Sequence, residues 1–282
     1  MTLDKMHRPG LLAGVVDATV AAGFLVWDHF CRTSVVEYKG DSSPVTEADR
    51  AAEAVILEAL RAAAPGIPVV AEEEAAAGRV PQVANAFFLV DPLDGTKEFI
   101  QRGTDFTVNI GLIEHGLPTM GCVYAPARAT VYWGDCASGE AWLATQPPHG
   151  LRGAAQRISV RKPMVPPWAV ASKSHNTAET EAWLKNAGVT MRVSIGSSLK
   201  FVLVASGEAD VYPRPAPTME WDTAAGDAVL RAAGGRVFDL DGRPLRYGKE
   251  RFFNPGFVAT GSYEPAILRP FMTGTPAASE IR

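Results

Sequence analysis

The chain has 282 residues, of which 47% are hydrophobic and 21% are charged, and its formal net charge is −4 at pH 7. This length suffices for one large domain or two modest ones with a well-buried core, and the composition is that of a soluble globular protein. Because there is no basic tail or excess of positive charge, the sequence gives no indication of nucleic-acid binding.

Two helical patterns rich in Ala, Leu and Val come first, over residues 5–36 and 46–64. The apolar segment 11–27 resembles a signal segment, but Asp17 interrupts it and it is short for a membrane span, which favours an amphipathic first helix. A capping-box pattern, Thr46-Glu47-Ala48-Asp49, opens the second helix. The three cysteines lack metal or redox spacing, so we expect a cytoplasmic protein.

Strand patterns dominate the next part of the chain, and one hairpin signal lies among them. An acidic run, Glu72-Glu73-Glu74, follows the first of these strands. The Pro/Gly-rich stretch 146–153 is the best candidate for a domain boundary. The predicted strands cover residues 67–71, 87–90, 107–114, 119–124, 130–134 and 140–143.

Beyond that stretch, strands and helices alternate, and Gly234-Gly235 closes the last helix. We therefore expect an N-terminal α+β part over residues 1–150, a C-terminal α/β part over 151–272 and a disordered tail over 273–282, with α and β elements in layers. The predicted strands are 168–171, 191–195 and 210–212, and the predicted helices are 177–187, 198–205 and 222–233.

The segment Asp91-Pro92-Leu93-Asp94-Gly95-Thr96 follows directly after a predicted buried strand. Two carboxylates three positions apart, with glycine and threonine where a helix can begin, place hard oxygen ligands for Mg²⁺ beside backbone N–H groups suited to an anion. An oxygen-rich cage next to an anion site indicates phosphate chemistry.

Three more carboxylates stand at or near element boundaries, namely Asp49, Glu72 and Asp222. Gathered without cations, such a set would repel itself, and divalent cations such as Mg²⁺ would remove that repulsion. Each member also has an ordinary explanation. Asp49 can be a capping-box partner, Asp222 a helix N-cap, Glu72 a solvated acid and Asp94-Gly95 a turn.

Three motifs in order, Glu72-Glu73, Asp91–Thr96 and Trp221-Asp222, resemble those of the inositol monophosphatase superfamily of Mg²⁺-dependent, lithium-sensitive phosphatases. The similarity extends over residues 5–272. It implies a layered αβαβα sandwich of the inositol monophosphatase and sugar phosphatase type, with the active site between its two parts. Further segments resemble the branch of 3′(2′),5′-bisphosphate nucleotidases, namely residues 42–46, 94–99, 194–201, 212–214, 221–226 and 254–257.

The resemblance also implies roles for single residues. Asp49 and Thr96 would take a proton from the attacking water, while Gly95 and Thr96 would present N–H groups to the phosphate. Two Mg²⁺ ions per site are implied, and a third is left open. The implied metal ligands are Glu72, Asp91, the Leu93 carbonyl, Asp94 and Asp222.

Lys200 and Arg214 lie before Asp222 in sequence and can reach a second phosphate, although both can also be solvated surface charges. Tyr212 and Trp221 can flank an adenine, but aromatic residues in such positions more often belong to the core, so both stay outside the predicted site. The predicted substrate contacts are Glu72, Gly95, Thr96, Lys97, Ser197, Ser198, Lys200, Arg214 and Asp222.

These features together favour a Mg²⁺-dependent phosphatase that removes the 3′-phosphate of adenosine 3′,5′-bisphosphate to give AMP, with 3′-phosphoadenylyl sulfate as a related substrate. The alternatives are an inositol monophosphatase or sugar bisphosphatase with the same metal site, and a non-catalytic nucleotide or metal sensor. We expect a small-molecule substrate, no nucleic-acid partner, no transmembrane segment, and a monomer or homodimer; peripheral association with the inner membrane is left open.

Overall fold

The computed structural model describes residues 8–32, 36–38, 44–172 and 176–272. The predicted tail over 273–282 lies outside these residues. Each helix predicted above is present, and the last three agree within one residue at each end, but the first ends at Cys31 and not at residue 36, which lies in a strand. In the described part of the chain the helices are α1 (Arg8–Cys31), α2 (Glu47–Ala63), α3 (Glu72–Ala76), α4 (Thr96–Ile100), α5 (Ala178–Asn186), α6 (Leu199–Ala205) and α7 (Trp221–Ala232).

Sixteen strands are described, and every predicted strand is among them. The first nine are β1 (Val36–Tyr38), β2 (Pro44–Thr46), β3 (Val69–Ala71), β4 (Ala86–Asp94), β5 (Thr107–Glu114), β6 (Leu117–Ala125), β7 (Thr130–Asp135), β8 (Glu140–Thr145) and β9 (Gln156–Ile158). The others are β10 (Trp168–Ser172), β11 (Met191–Ile195), β12 (Val211–Arg214), β13 (Thr218–Met219), β14 (Arg236–Phe238), β15 (Phe253–Asn254) and β16 (Phe257–Thr260).

The strands form two large sheets and two short ribbons. Strands β3 to β9 make a seven-stranded sheet in sequence order, parallel between β3 and β4 and antiparallel elsewhere. The second sheet has the order β11-β10-β12-β16-β14 and is mixed. The ribbons pair β1 with β2 and β13 with β15.

The helices separate and cover the two sheets. Helices α1 and α2 pack on one face of the seven-stranded sheet, α6 and α7 fill the space between the sheets, and α5 packs on the outer face of the five-stranded sheet. The expected αβαβα sandwich is therefore confirmed.

Strand β4 is buried on both faces, which explains its unbroken apolar sequence. Phe88 and Val90 join the core beneath α1 and α2, whereas Phe87 and Leu89 join the core between the sheets. The strand thus runs through the middle of the molecule and delivers its carboxyl end to the region between the two sheets.

A row of three glycines lets α7 lie close to the seven-stranded sheet. Gly111, Gly121 and Gly134 are neighbours across β5, β6 and β7. A Cβ atom at Gly121 would stand 2.5 Å from the carbonyl oxygen of Ala225 on α7, and one at Gly111 would stand 2.8 Å from the backbone of Ala224. Only glycine permits so close an approach, which fixes the height of α7 above the sheet.

Helix α1 is predicted from the sequence to be amphipathic, with one apolar face, but it is apolar around most of its circumference. Buried apolar residues occur around most of its circumference, because α2 and the sheet both cover it, and its exposed side carries small residues beside Asp17. By length and composition α1 is apolar enough to cross a membrane, and half of its most apolar stretch is buried inside the molecule. Buried Arg8 pairs with Glu114 at 2.6 Å and Asp135 at 2.8 Å, which anchors the start of α1 to the sheet.

The predicted division at residue 150 remains a prediction. The seven-stranded sheet continues through β9, beyond the Pro/Gly-rich stretch. The core between the sheets draws apolar side chains from before and after that stretch.

The glycine row yields a stability prediction. Gly121→Ala should lower the melting temperature, because the added methyl group must push α7 away from the sheet at a cost of about 1–3 kcal/mol. Gly10→Ala is the matched control: nothing lies within 4 Å of its Cβ position, so its melting temperature should stay level or rise. Equal melting temperatures for Gly121→Ala and the unsubstituted chain, measured by calorimetry, would contradict this packing.

Candidate active site

A cavity of about 400 Å³ lies between the two sheets. Its walls come from the end of β4, the start of α4, the turn before α6, the end of β12 and the start of α7. Ten predicted site residues line it, namely Glu72, Asp94, Gly95, Thr96, Lys97, Ser197, Ser198, Lys200, Arg214 and Asp222. The other three, Asp49, Asp91 and Leu93, lie directly behind this wall.

A bulge in β4 brings Asp91 and Asp94 together. In a regular strand, residues three apart point to opposite faces. Here Asp91 pairs with Asn109 and Asp94 pairs with Thr107, so β4 contains one more residue than β5 between the two pairs. The extra residue reverses the alternation of side chains between the two faces, so Asp91 and Asp94 point to the same side. Pro92 lies in the bulge, where its missing N–H removes no hydrogen bond between the strands. The Leu93 N–H closes the turn on Asp91 Oδ1 at 3.0 Å.

The carboxylates carry strongly perturbed pKa values. Burial, followed by repulsion from Glu72, Asp94 and Asp222, raises the pKa of Asp91 well above its ordinary value. Burial and repulsion from Asp94 and Glu72 do the same for Asp222. Burial raises the pKa of Asp94 to about 6, against the opposing effects of Lys200 and the Ser198 N–H. Their negative charges therefore interact strongly through a poorly hydrated region.

The carboxylate side chains are spread around the cavity and do not converge on one point. Within the described ranges, no three His, Cys, Asp or Glu side chains stand close enough to enclose a metal ion as they are placed. Asp222 instead accepts a 2.9 Å hydrogen bond from the Met219 N–H, which turns its carboxylate back over the start of α7. The N-cap of α7 is Glu220, so Asp222 lies within the first turn and is not the N-cap residue that its ordinary explanation required.

Thr96 and Asp49 meet behind the bulge. The Thr96 hydroxyl donates to the Leu93 carbonyl at 3.0 Å, and its oxygen lies 3.5 Å from Asp49 Oδ1. The other Asp49 oxygen accepts from the N–H and hydroxyl of Thr46, so the predicted capping box is confirmed and coexists with the contact to Thr96. Burial, chiefly, raises the pKa of Asp49 to about 7.

Gly95 makes the turn from β4 into α4 with a positive φ of 90°. A Cβ atom there would stand 2.7 Å from the carbonyl oxygen of Asp105, so this turn accepts no larger residue without a shift. The Thr96 N–H that follows belongs to the first turn of α4, where it has no partner within the helix.

Two buried cations also line the cavity. Lys200 is 5% exposed, and its ammonium donates to the carbonyls of Ile195 and Ser197. Burial lowers the pKa of Lys200 to about 8. Arg214, which is 8% exposed, donates to the carbonyls of Ala216 and Pro217. Neither is the solvated surface charge that the sequence left open.

Ser197 and Ser198, the two serines before α6, make different hydrogen bonds. Ser198 donates its hydroxyl to Asn109 at 2.7 Å and its N–H to Asp94. Its hydroxyl is thus turned toward the sheet, and it acts on the site by holding Asp94. Ser197 has a positive φ of 49° and caps the Leu199 N–H at 3.4 Å.

Sequence reasoning missed part of the lining. Tyr212, predicted as core, is buried and also faces the cavity, with Lys200 Nζ 5.4 Å from its ring centre. Its position two residues before Arg214 on one strand was the available signal, because such residues share a face. Glu98, Met219 and Phe253 also line the cavity. Trp221 is buried and is not among the lining residues, as predicted.

Comparison with known proteins gives consistent relationships. The Inositol monophosphatase family matches residues 10–269. The 3′(2′),5′-bisphosphate nucleotidase CysQ of Escherichia coli strain K12 is 50% identical over 220 residues, covering 78% of this chain and 86% of the relative. The protein of the same name from Salmonella typhimurium is 48% identical over 242 residues, covering 85% and 95%.

Solved structures agree. The crystal structure of CysQ from Bacteroides thetaiotaomicron superposes with a TM-score of 0.76 at 36% identity, covering 90% of this chain and 97% of that one. The inositol monophosphatase from Anabaena gives a TM-score of 0.69 at 26% identity, covering 90% and 92%.

The fold and these relatives together define a phosphatase with a layered α/β fold, of a metal-dependent class. More particularly, the chain belongs to the inositol monophosphatase family. The family resemblance of its three acidic motifs is thereby confirmed.

The raised carboxylate pKa values predict a pH-dependent stability. Because folded Asp91 holds its proton to higher pH than unfolded Asp91, the contribution of Asp91 to the free energy of unfolding of the metal-free chain falls as pH rises above about 4. Asp91→Asn does not titrate, so with EDTA present it should raise the melting temperature at pH 8 by about 2 °C or more. The gain should shrink towards pH 5.

Asp17→Asn is the control for that experiment. Asp17 is largely exposed and pairs with Arg152 at the surface, so its loss should change the melting temperature little at either pH. A lower melting temperature for Asp91→Asn than for the unsubstituted chain at pH 8 would contradict the repulsion inferred among the buried carboxylates.

Proposed function

We propose that this chain is a metal-dependent 3′(2′),5′-bisphosphate nucleotidase that converts adenosine 3′,5′-bisphosphate and water to AMP and phosphate. The observation that carries the proposal is a single cavity lined both by acidic oxygen ligands and by two buried cations. 3′-Phosphoadenylyl sulfate, which carries the same 3′-phosphate, is a second expected substrate.

The donor set fits Mg²⁺. It consists entirely of oxygens, which a hard divalent cation prefers, and its buried carboxylates repel one another until positive charge is added. Cations bound here would supply the charge that offsets a phosphate dianion and lowers the pKa of a water toward about 7. We assign two Mg²⁺ ions to the site. Their proposed ligands are Glu72, Asp91, the Leu93 carbonyl, Asp94 and Asp222.

Thr96 and Asp49 are the proposed proton acceptors. Rotation of the Thr96 hydroxyl from Leu93 to Asp49, whose oxygen is 3.5 Å away, lets Thr96 pass a proton to Asp49 and receive one from water. A carboxylate whose pKa is about 7 is suited to accept that proton near neutral pH. The water oxygen then bonds to phosphorus as the bond to the 3′-oxygen breaks, and solvent protonates the 3′-oxygen.

The remaining walls supply binding. The N–H groups of Gly95 and Thr96 at the first turn of α4 are proposed to hold the 3′-phosphate. Lys200 and Arg214 are proposed to hold the second phosphate, with exposed Lys97 at the cavity mouth and Ser197 beside them. A substrate with one phosphate would leave those buried cations without an anion, which favours bisphosphates.

Substrate preference tests the proposal. Phosphate release with Mg²⁺ should show a kcat/KM for adenosine 3′,5′-bisphosphate about 10- to 100-fold above that for inositol 1-phosphate, since one charge-assisted contact is worth about 1.5–3 kcal/mol. EDTA should abolish both activities. Faster release from inositol 1-phosphate would refute the nucleotidase assignment and leave the fold and family membership unaffected.

The same assay on Lys200→Met tests the contact of Lys200 with the second phosphate. Methionine keeps most of the buried volume, so the loss should fall on the bisphosphate, by about 10- to 100-fold, and much less on inositol 1-phosphate. Exposed Lys185→Met on α5 is the matched control and should leave both rates unchanged. Equal losses on the two substrates would refute the contact of Lys200 with the second phosphate.

A further inference from the structure

Glu53 is a buried carboxylate outside the predicted site. It lies on α2, is 4% exposed, and uses both carboxylate oxygens on consecutive backbone groups. Its Oε2 accepts the Glu73 N–H at 2.7 Å, and its Oε1 accepts the Glu74 N–H at 2.9 Å. The two N–H groups belong to the first turn of α3, directly after Glu72.

Helix α3 depends on this contact for its start. It has five residues, and its N-cap Ala71 has no side chain with which to cap the helix. So short a helix is unstable by itself, and its first N–H groups have no partners within the helix. Glu53 supplies those partners from a neighbouring element and thereby fixes the backbone from which Glu72 reaches the cavity wall.

The spacing on α2 makes this contact part of a larger arrangement. Asp49 and Glu53 are four residues apart, so they lie on one face of the helix. Asp49 reaches Thr96 and Glu53 reaches the backbone after Glu72. One rigid helix, itself packed against both α1 and the sheet, therefore sets the separation between the start of α3 and the start of α4.

We propose that Glu53 is a positioning residue for Mg²⁺ binding, because its carboxylate holds the first turn of α3 and so aims Glu72 at the metal. This inference rests on the proposed function through the role of Glu72. Glutamine at position 53 keeps the shape of the side chain but replaces one acceptor oxygen by an N–H₂ group, which opposes one of the two N–H donors.

Calorimetric titration of the full chain with Mg²⁺ tests the proposal. Glu53→Gln should weaken Mg²⁺ binding about 10- to 100-fold, the loss that follows when a partner that orients a metal ligand is removed. Two controls accompany it on the same helix. Exposed Glu58→Gln should bind Mg²⁺ as the unsubstituted chain does, and buried Ile56→Val should lower the melting temperature without changing Mg²⁺ affinity.

The outcomes separate two failures. If the unsubstituted chain binds no Mg²⁺, the proposed metal site falls and this inference falls with it. If the unsubstituted chain and Glu53→Gln bind Mg²⁺ equally, only the role of Glu53 is refuted. Hydrogen exchange of the unsubstituted chain is a test that needs no variant. The backbone amides of Glu73 and Glu74 should be protected from exchange. Exchange of these amides as fast as in an unstructured segment would overturn the inference.

Discussion

The site depends on one constraint, which is that several carboxylates are held close together in and behind one wall of the cavity. Burial and mutual repulsion raise the pKa values of Asp91 and Asp222, so the folded chain holds these groups at a cost in stability. Functional sites commonly give up stability in this way. The same cost makes the wall receptive to divalent cations, and the buried Lys200 and Arg214 that line the same cavity extend its affinity to anions.

The fold positions these carboxylates mainly through the backbone of the elements that carry them. A bulge in β4 turns Asp94 to the side of Asp91, and the Ser198 N–H holds Asp94 there. The glycine row under α7 sets how closely the helix that carries Asp222 approaches the sheet. Because these devices come from separate layers of the sandwich, the cavity exists only when both sheets and the helices between them are packed.

Much of this arrangement could be predicted from sequence. Periodicity gave the order of helices and strands, and the acidic motifs indicated the family and therefore the layered fold. Contacts between distant segments could not be predicted: the Ser198 hydroxyl bonds Asn109, 89 positions away, and so is turned from the cavity. Periodicity also could not show that α1 is covered from two sides, or that a buried tyrosine such as Tyr212 also faces a cavity.

The central claim is that the acidic wall binds two divalent cations next to a phosphate. Crystals grown with Mn²⁺ and phosphate test it most directly, because Mn²⁺ scatters anomalously and takes the oxygen ligands that Mg²⁺ takes. The account predicts two anomalous peaks with Asp91 between them, and phosphate over the first turn of α4. Peaks confined to other parts of the molecule, or phosphate bound with no anomalous peak at Asp91, would contradict it.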